Sequence, residues 1–127
     1  MATIEKFEDL QSWQKAREFC RAIYKITTKG DFAKDWSLKD QIKRSAGSSM
    51  DNIAEGFDRN SSKEFRQYLF FSKASASEVK SQLYRALDQN YITETEFDEA
   101  FSLASDVSKL IGGLLNYLKD KNTRKIN

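Results

Sequence analysis

Polar side chains recur along one side of the predicted second helix, where their spacing could gather them into a site. They follow one another at intervals of three or four residues, which places them on one helix face: Gln41, Ser45, Ser48, Asn52 and Glu55. Between two helices, such a stripe could form a polar pocket in which a carboxylate acts as an acid or a base. It could also form a hydrogen-bond network that sets the register of the helices, or the polar part of a subunit interface.

The residue types in the rest of the chain favour the structural interpretation over catalysis. The sequence has no histidine and one cysteine, so the commonest general base and zinc ligand is missing and no intramolecular disulfide can form. No activated nucleophile accompanies the carboxylates of Glu55 and Glu78. We therefore predict a protein with no catalytic residue, no metal site and no cofactor. The predicted structural polar network consists of Gln41, Arg44, Asn52, Glu55 and Glu78.

Lysines and arginines of the second and third predicted helices offer a different chemistry, the binding of phosphates. Aromatic residues such as Phe70 and Tyr84 are interleaved with them, and a positive surface with aromatic rings can attract phosphates and stack bases. A solvated face with ordinary ion pairs is the alternative, and the small net charge of +2 favours it. The predicted nucleic-acid contacts are Lys43, Arg59, Lys63, Arg66, Lys73 and Lys80.

These side chains belong to four stretches of the chain in which apolar residues recur every three or four positions. This period predicts amphipathic helices, at about 9–28, 37–56, 61–89 and 93–119, followed by a basic tail at 120–127. Three residue pairs have the spacing of an N-cap or a capping box at the second, third and fourth helices: Ser37 with Asp40, Ser61 with Glu64, and Thr93 with Glu96.

The connections between the helices predict how they pack. Proline is absent, and the linkers at 56–60 and 90–92 are short, which forces neighbouring helices to run antiparallel. The 127 residues suit one domain. We predict an all-α fold, an antiparallel up-and-down four-helix bundle over 1–127. Gly112 and Gly113 fall inside the last helix, where they predict a close helix crossing, a bend or a break.

The first ten residues and the lengths of the apolar stretches indicate where in the cell the protein is located. Residues 1–10 contain acidic side chains and no apolar run, unlike a signal peptide, and no stretch is long enough to span a bilayer. These features predict a cytoplasmic protein.

Phe70 and Phe71 are adjacent, so both cannot face one core stripe. Either the apolar stripes are wide, or a second apolar face packs against another subunit.

Several short segments, in order along nearly the whole chain, resemble one known family. They are FEDL at 7–10 with Trp13 and Ala16, LKDQIKR at 38–44, NIAEG at 52–56, EF at 64–65, ASASE at 74–78 and NYI at 90–92. The chain is thereby similar to the four-helix-bundle proteins first noticed as reading frames inside intervening sequences of bacterial large-subunit ribosomal RNA genes. NIAEG is the most specific segment. The chain departs from the family at Phe32-Ala33, where Phe-Pro is usual, and at Ala76-Ser77, where Gly-Ser is usual.

The resemblance implies a ring-like homo-oligomer, a pentamer, without enzymatic activity. A bundle of similar fold and size is the accessory variability determinant of diversity-generating retroelements, a pentamer that binds a reverse transcriptase and nucleic acid. The leading hypothesis is a self-associating ring that binds RNA or an RNA-processing partner. The second is a protein-interaction adaptor without intrinsic RNA binding. A bundle that binds a small ligand or a metal through Asn52, Glu55 and Glu78 ranks last.

Overall fold

A computed structural model describes residues 3–119 of the protein, and within this range the chain forms four long helices and no strand. The helices are α1 (Gln11–Thr27), α2 (Trp36–Phe57), α3 (Ser62–Asp88) and α4 (Glu94–Leu118). Short 3₁₀ turns at Phe7–Asp9 and Phe32–Lys34 precede α1 and α2. Each α-helix begins and ends within two residues of its predicted range. The predicted basic tail at 120–127 lies outside the described residues.

Contacts between α2 and α3 pair the start of one helix with the end of the other. Ser75 in the middle of α3 meets Ser48 in the middle of α2, with 3.0 Å between their hydroxyl oxygens. Arg85 near the end of α3 reaches Gln41 near the start of α2. The helices pack in the order α1, α2, α3, α4, and α4 closes against α1. The predicted antiparallel up-and-down four-helix bundle is therefore confirmed.

One apolar stripe from each helix fills the core between them. The side chains of these stripes are almost fully buried, and each Leu, Ile, Val or Phe contributes about 1.5–3 kcal/mol relative to an exposed position. The largest side chains that are less than 2% exposed are Phe19, Ile23, Phe32, Ile42, Ile53, Phe57, Leu69, Val79, Leu83, Val107, Ile111 and Leu118. No helix within residues 3–119 combines the length and the apolar composition needed to cross a membrane.

Side-chain caps begin α3 and α4 as the sequence predicts. Ser61 accepts a hydrogen bond from the Glu64 amide at 3.2 Å. Thr93 accepts one from the Glu96 amide at 3.0 Å, and the Glu96 carboxylate accepts one from the Thr93 amide at 2.9 Å. This reciprocal pair is a complete capping box, which satisfies two backbone donors that the helix leaves free.

The predicted cap of α2 is wrong by two residues. The helix begins at Trp36, and Asp35 is its N-cap, with a carboxylate oxygen that accepts the Leu38 amide at 3.0 Å. Ser37 therefore lies inside the first turn, where its hydroxyl accepts a hydrogen bond from Gln41. Aspartate and serine are equally good caps, so the sequence around position 36 offers two starting points of similar quality.

The structure excludes two of the three predicted roles of the glycines in α4, the break and the close crossing. The helix continues through Gly112 and Gly113 to Leu118, so the chain does not break there. A Cβ atom added at either glycine would meet no heavy atom within 4 Å, so neither permits a close crossing. Nothing in the structure requires glycine at these two positions.

Gly56 on α2 is the glycine that a close crossing does require. An added Cβ there would lie 2.6 Å from the Cβ of Tyr68 and 3.0 Å from a ring carbon of Phe65, both on α3. The two helices therefore approach each other closely at this end of the bundle. Two turns further along, the Ser72 hydroxyl donates to the backbone carbonyl of Ser49, which joins the same two helices inside the core.

Candidate nucleic-acid interface

The polar stripe of α2 lies against α3 in part. Gln41 donates to Ser37 at 2.9 Å and accepts a hydrogen bond from Arg85 at 3.3 Å. Asn52 donates to the hydroxyl of Ser48 at 2.9 Å, and that hydroxyl also meets Ser75 of α3. Gln41 directly, and Asn52 through Ser48, therefore belong to hydrogen bonds that cross from α2 to α3.

The other three residues of the predicted polar network lie on the surface. Arg44 forms an ion pair with Asp40 of its own helix at 2.9 Å, and Glu55 forms one with Arg59 at 3.3 Å. Glu78 is exposed and has no hydrogen bond or ion pair with any residue in 3–119. The structure does not bring the carboxylates of Glu55 and Glu78 together, because each points into solvent from a different helix.

The groups with shifted pKa values are the helix caps Asp35 and Glu96, the Tyr91 hydroxyl that bonds to Asp35, and the partly buried thiol of Cys20. The Leu38 amide, and then the Tyr91 hydroxyl at 3.0 Å, lower the pKa of Asp35. The Thr93 amide lowers the pKa of Glu96. Burial raises the pKa of Cys20 to about 12, and the nearby Asp51 adds to the shift. Within the described part of the chain, no group of three acidic or cysteine side chains is placed to hold a metal ion.

Three of the six predicted nucleic-acid contacts share one edge of α3, which we call the α3 edge: Arg66, Lys73 and Lys80. Their seven-residue spacing places them on one face, about 10.5 Å apart along the axis. The ammonium of Lys80 lies 4.9 Å from the centre of the Phe101 ring of α4. A guanidinium nitrogen of Arg66 donates to the carbonyl of Lys119 at 3.4 Å. The α3 edge therefore borders α4, and exposed Lys63 lies one turn before Arg66.

The remaining two predicted contacts lie elsewhere. Arg59 follows α2, where it pairs with Glu55, donates to the Tyr68 hydroxyl and lies 4.8 Å from the centre of the Tyr68 ring. Lys43 lies in the groove between α1 and α2, with its ammonium 4.6 Å from the centre of the Tyr24 ring. The structure therefore does not unite the six residues into one surface.

Three basic residues of α1 form a second positive row that the sequence interpretation missed. Arg17, Arg21 and Lys25 line a shallow depression of about 510 Å³ between α1 and α2. Their four-residue spacing places them on neighbouring positions of one helix face. That spacing is visible in the sequence and could have identified them. None of them forms an ion pair with a carboxylate in residues 3–119.

Aromatic rings accompany both positive rows. Beside the α3 edge, Tyr84 lies 4.9 Å from Phe97 and 5.9 Å from Phe101, measured between ring centres, and is 52% exposed. In the α1/α2 groove, Tyr24 is 49% exposed. Cations within about 6 Å of an aromatic ring are attracted to its face, so Lys80 and Lys43 are held close to rings while their charges stay available.

Comparison with known proteins agrees with this architecture. The sequence profile of the 23S rRNA-intervening sequence proteins matches residues 8–113, and no curated protein matches the chain. A crystal structure of a protein with unknown function from the S23 ribosomal protein family of Bacteroides thetaiotaomicron is similar in fold. It has a TM-score of 0.75 and 24% identity, and the alignment covers 82% of this chain and 97% of that chain. The chain therefore belongs to the family of 23S rRNA-intervening sequence proteins, which confirms the resemblance that its motifs indicate.

Proposed function

We propose that the protein is a non-catalytic, self-associating bundle that binds RNA through the α3 edge. One observation carries this proposal. Arg66, Lys73 and Lys80 present three positive charges along one edge of one helix, and none forms an ion pair with a carboxylate in residues 3–119. Cations that no carboxylate neutralises are free to pair with phosphates, and the release of counterions from the RNA then favours binding.

The neighbourhood of the α3 edge suits RNA better than a small anion. The three cations are spread along two heptads rather than converging on one point, as they would around a single phosphate. Tyr84 lies one helical turn after Lys80 and offers a half-exposed ring for stacking. The family is described by its relation to the intervening sequences of 23S rRNA, and RNA as the ligand of this chain is our proposal.

The non-catalytic part of the proposal is supported by the chemistry of the described side chains. Glu55 and Glu78 are exposed and lie apart, so they cannot work as an acid and base pair on one substrate. The Cys20 thiol is protonated at neutral pH, because its pKa is raised to about 12, and a protonated thiol is a poor nucleophile. A cytoplasmic location, where a lone cysteine stays reduced, belongs to the same proposal.

Self-association is supported by the aromatic side chains that the bundle leaves outside its core. Phe70 is 52% exposed and Phe71 is 48% exposed, on adjacent positions of α3. A monomer gains nothing from leaving two phenylalanines in water, whereas a subunit contact would bury them. We propose a ring of five copies, for which light scattering would give a mass of five times 14.7 kDa. A monomeric mass at micromolar concentration would contradict this part.

The RNA proposal is tested by fluorescence anisotropy with structured 23S rRNA fragments, at salt concentrations from about 50 to 200 mM. We expect micromolar or tighter affinity that falls steeply with salt. Lys73→Glu should weaken binding and reduce the salt slope by about one. Lys34→Glu is the control. It makes the same charge change at an exposed residue away from the α3 edge, in the 3₁₀ turn that precedes α2, and should leave the affinity nearly unchanged.

A second function, a protein-interaction adaptor, is favoured by the same exposed pair Phe70 and Phe71. Under this alternative the aromatic surface docks a protein partner, and the cations of the α3 edge only keep the surface solvated. Weak RNA binding at every salt concentration, together with equal affinities for the wild type and Lys73→Glu, would refute the RNA proposal and leave the adaptor.

A further inference from the structure

The groove between α1 and α2 combines a row of cations, an aromatic ring and a polar wall. Cations and aromatic rings are the groups by which proteins bind single-stranded nucleic acid. Tyr24 lies at its centre and contributes to two shallow depressions, of about 510 Å³ and about 640 Å³. Arg17, Arg21 and Lys25 line the first depression. The groove lies on the opposite side of the bundle from the α3 edge, because the four helices pack in a ring.

The cations of the groove are available to a ligand. Four-residue spacing separates Arg17, Arg21 and Lys25 by about 6 Å along the helix axis, a separation similar to that of neighbouring phosphates along one strand. The Arg17 guanidinium lies 5.8 Å from the centre of the Trp13 ring, which holds it in place without neutralising its charge.

The second depression presents a polar wall beside the Tyr24 ring. It is lined by Asp51, Asn52 and Gly47 of α2. Carboxylate and amide groups can bond to the polar edge of a base, and nothing lies within 4 Å of a Cβ atom added at Gly47, so the space above it is open. Lys43 lies over the Tyr24 ring, and the charge of Asp40 is already balanced by Arg44 at 2.9 Å.

We infer that the α1/α2 groove binds a single-stranded segment of RNA, with phosphates at Arg21 and Lys25 and one base on the Tyr24 ring, in the place that the Lys43 ammonium occupies in the free protein. This inference rests on the proposed RNA-binding function and adds a second surface to it. A duplex offers mostly its backbone to such a groove, because its bases are already stacked and paired. An unpaired base, in contrast, can be turned toward the aromatic ring and the polar wall.

Two fluorescein-labelled probes distinguish single-strand binding from duplex binding. One is a single-stranded oligouridine of about 12 nucleotides, which fits the site sizes of stacking surfaces, and the other is an RNA duplex of the same length. Tyr24→Ala should lower the affinity for the single strand by about 5- to 150-fold, the range that corresponds to the loss of one stacking ring, and leave the duplex affinity unchanged. Arg21→Glu with Lys25→Glu should abolish most single-strand binding.

The controls are variants of the α3 edge, on the other side of the bundle, where the proposed function also places RNA binding. Tyr84→Ala removes a ring of nearly equal exposure, and Lys73→Glu with Lys80→Glu makes the same charge change as the groove variant. Circular dichroism melts establish that each variant is folded. If the α1/α2 variants bind the single strand as wild type does while the controls lose RNA, the inference is wrong and the proposed function stands. If the wild type binds neither probe nor 23S rRNA fragments, both are wrong.

Discussion

Replacing Gly56 with alanine tests the close approach of α2 and α3. The new methyl group would lie 2.6 Å from the Cβ of Tyr68, 3.0 Å from a ring carbon of Phe65 and 3.3 Å from the Phe65 carbonyl oxygen. A Cβ atom and a carbonyl oxygen are fixed by the backbone, so a rotamer change cannot relieve these contacts. The helices would have to separate locally, which loosens the packing of the side chains around them.

The expected loss of stability is the difference between two effects of opposite sign. Overpacking a well-filled site costs about 1–3 kcal/mol, whereas alanine in place of glycine inside a helix stabilises by about 1 kcal/mol. Because backbone atoms are among the contacts, we expect the cost to be at the upper end and the net destabilisation to be about 1–2 kcal/mol. For 127 residues each kcal/mol corresponds to about 4 °C in Tm, so Tm should fall by about 4–8 °C.

Gly113→Ala is the matched control, since it makes the same substitution inside a helix where nothing lies within 4 Å of the new methyl group. It should stabilise by about 0.5–1 kcal/mol. Urea and thermal unfolding at one protein concentration measure both variants, because self-association would otherwise couple stability to concentration. If Gly56→Ala unfolds at the same temperature as wild type or above it, the close approach does not exist and the reasoning fails.

Three further changes have effects of known direction. Ser72→Ala removes the hydrogen bond to the Ser49 carbonyl and should cost about 1 kcal/mol in urea unfolding, whereas exposed Ser77→Ala should cost under about 0.5 kcal/mol. The lowered pKa of Asp35 means that its carboxylate stabilises the fold fully above about pH 4 and less as the pH falls through the folded pKa. Acid unfolding of Asp35→Asn should therefore depend less on pH in that window; an equal dependence would refute this. Iodoacetamide should modify Cys20 slowly at pH 8 in the folded protein and rapidly in urea, as mass spectrometry would show, because the raised pKa of about 12 keeps the thiol protonated.

The helices could be predicted from the sequence because periodicity alone determines them. The stripe through Leu38, Ile42, Ala46 and Ile53 is buried in the structure as its spacing indicates. The start of α2 could not be predicted with the same certainty. Asp35 and Ser37 are both good caps, and Asp35 also accepts a hydrogen bond from the hydroxyl of Tyr91, 56 positions away in the chain, which the local sequence does not indicate.

The candidate site was harder to predict, because spacing on one helix does not say which neighbouring helix a side chain will meet. Arg66, Lys73 and Lys80 share a face by their spacing, but only the packing of α3 against α4 places Lys80 beside Phe101 and Arg66 beside the Lys119 carbonyl. Lys43 belongs by sequence to the same basic group, and the structure places it in the α1/α2 groove. Long-range packing, which the sequence does not show, decides the grouping.

The residues of the family motif at 52–56 also explain why membership of the family predicts the fold of a chain better than it predicts the ligand of that chain. Asn52 bonds to Ser48 at the contact with α3, Ile53 is buried in the core, and Gly56 allows Phe65 and Tyr68 to approach. These positions of the motif therefore serve the packing of α2 against α3. Neither the α3 edge nor the cation row of the α1/α2 groove lies in that contact. A protein could keep the motif and the bundle while its charged surfaces change, so the function of this chain has to be tested on those surfaces rather than inferred from the motif.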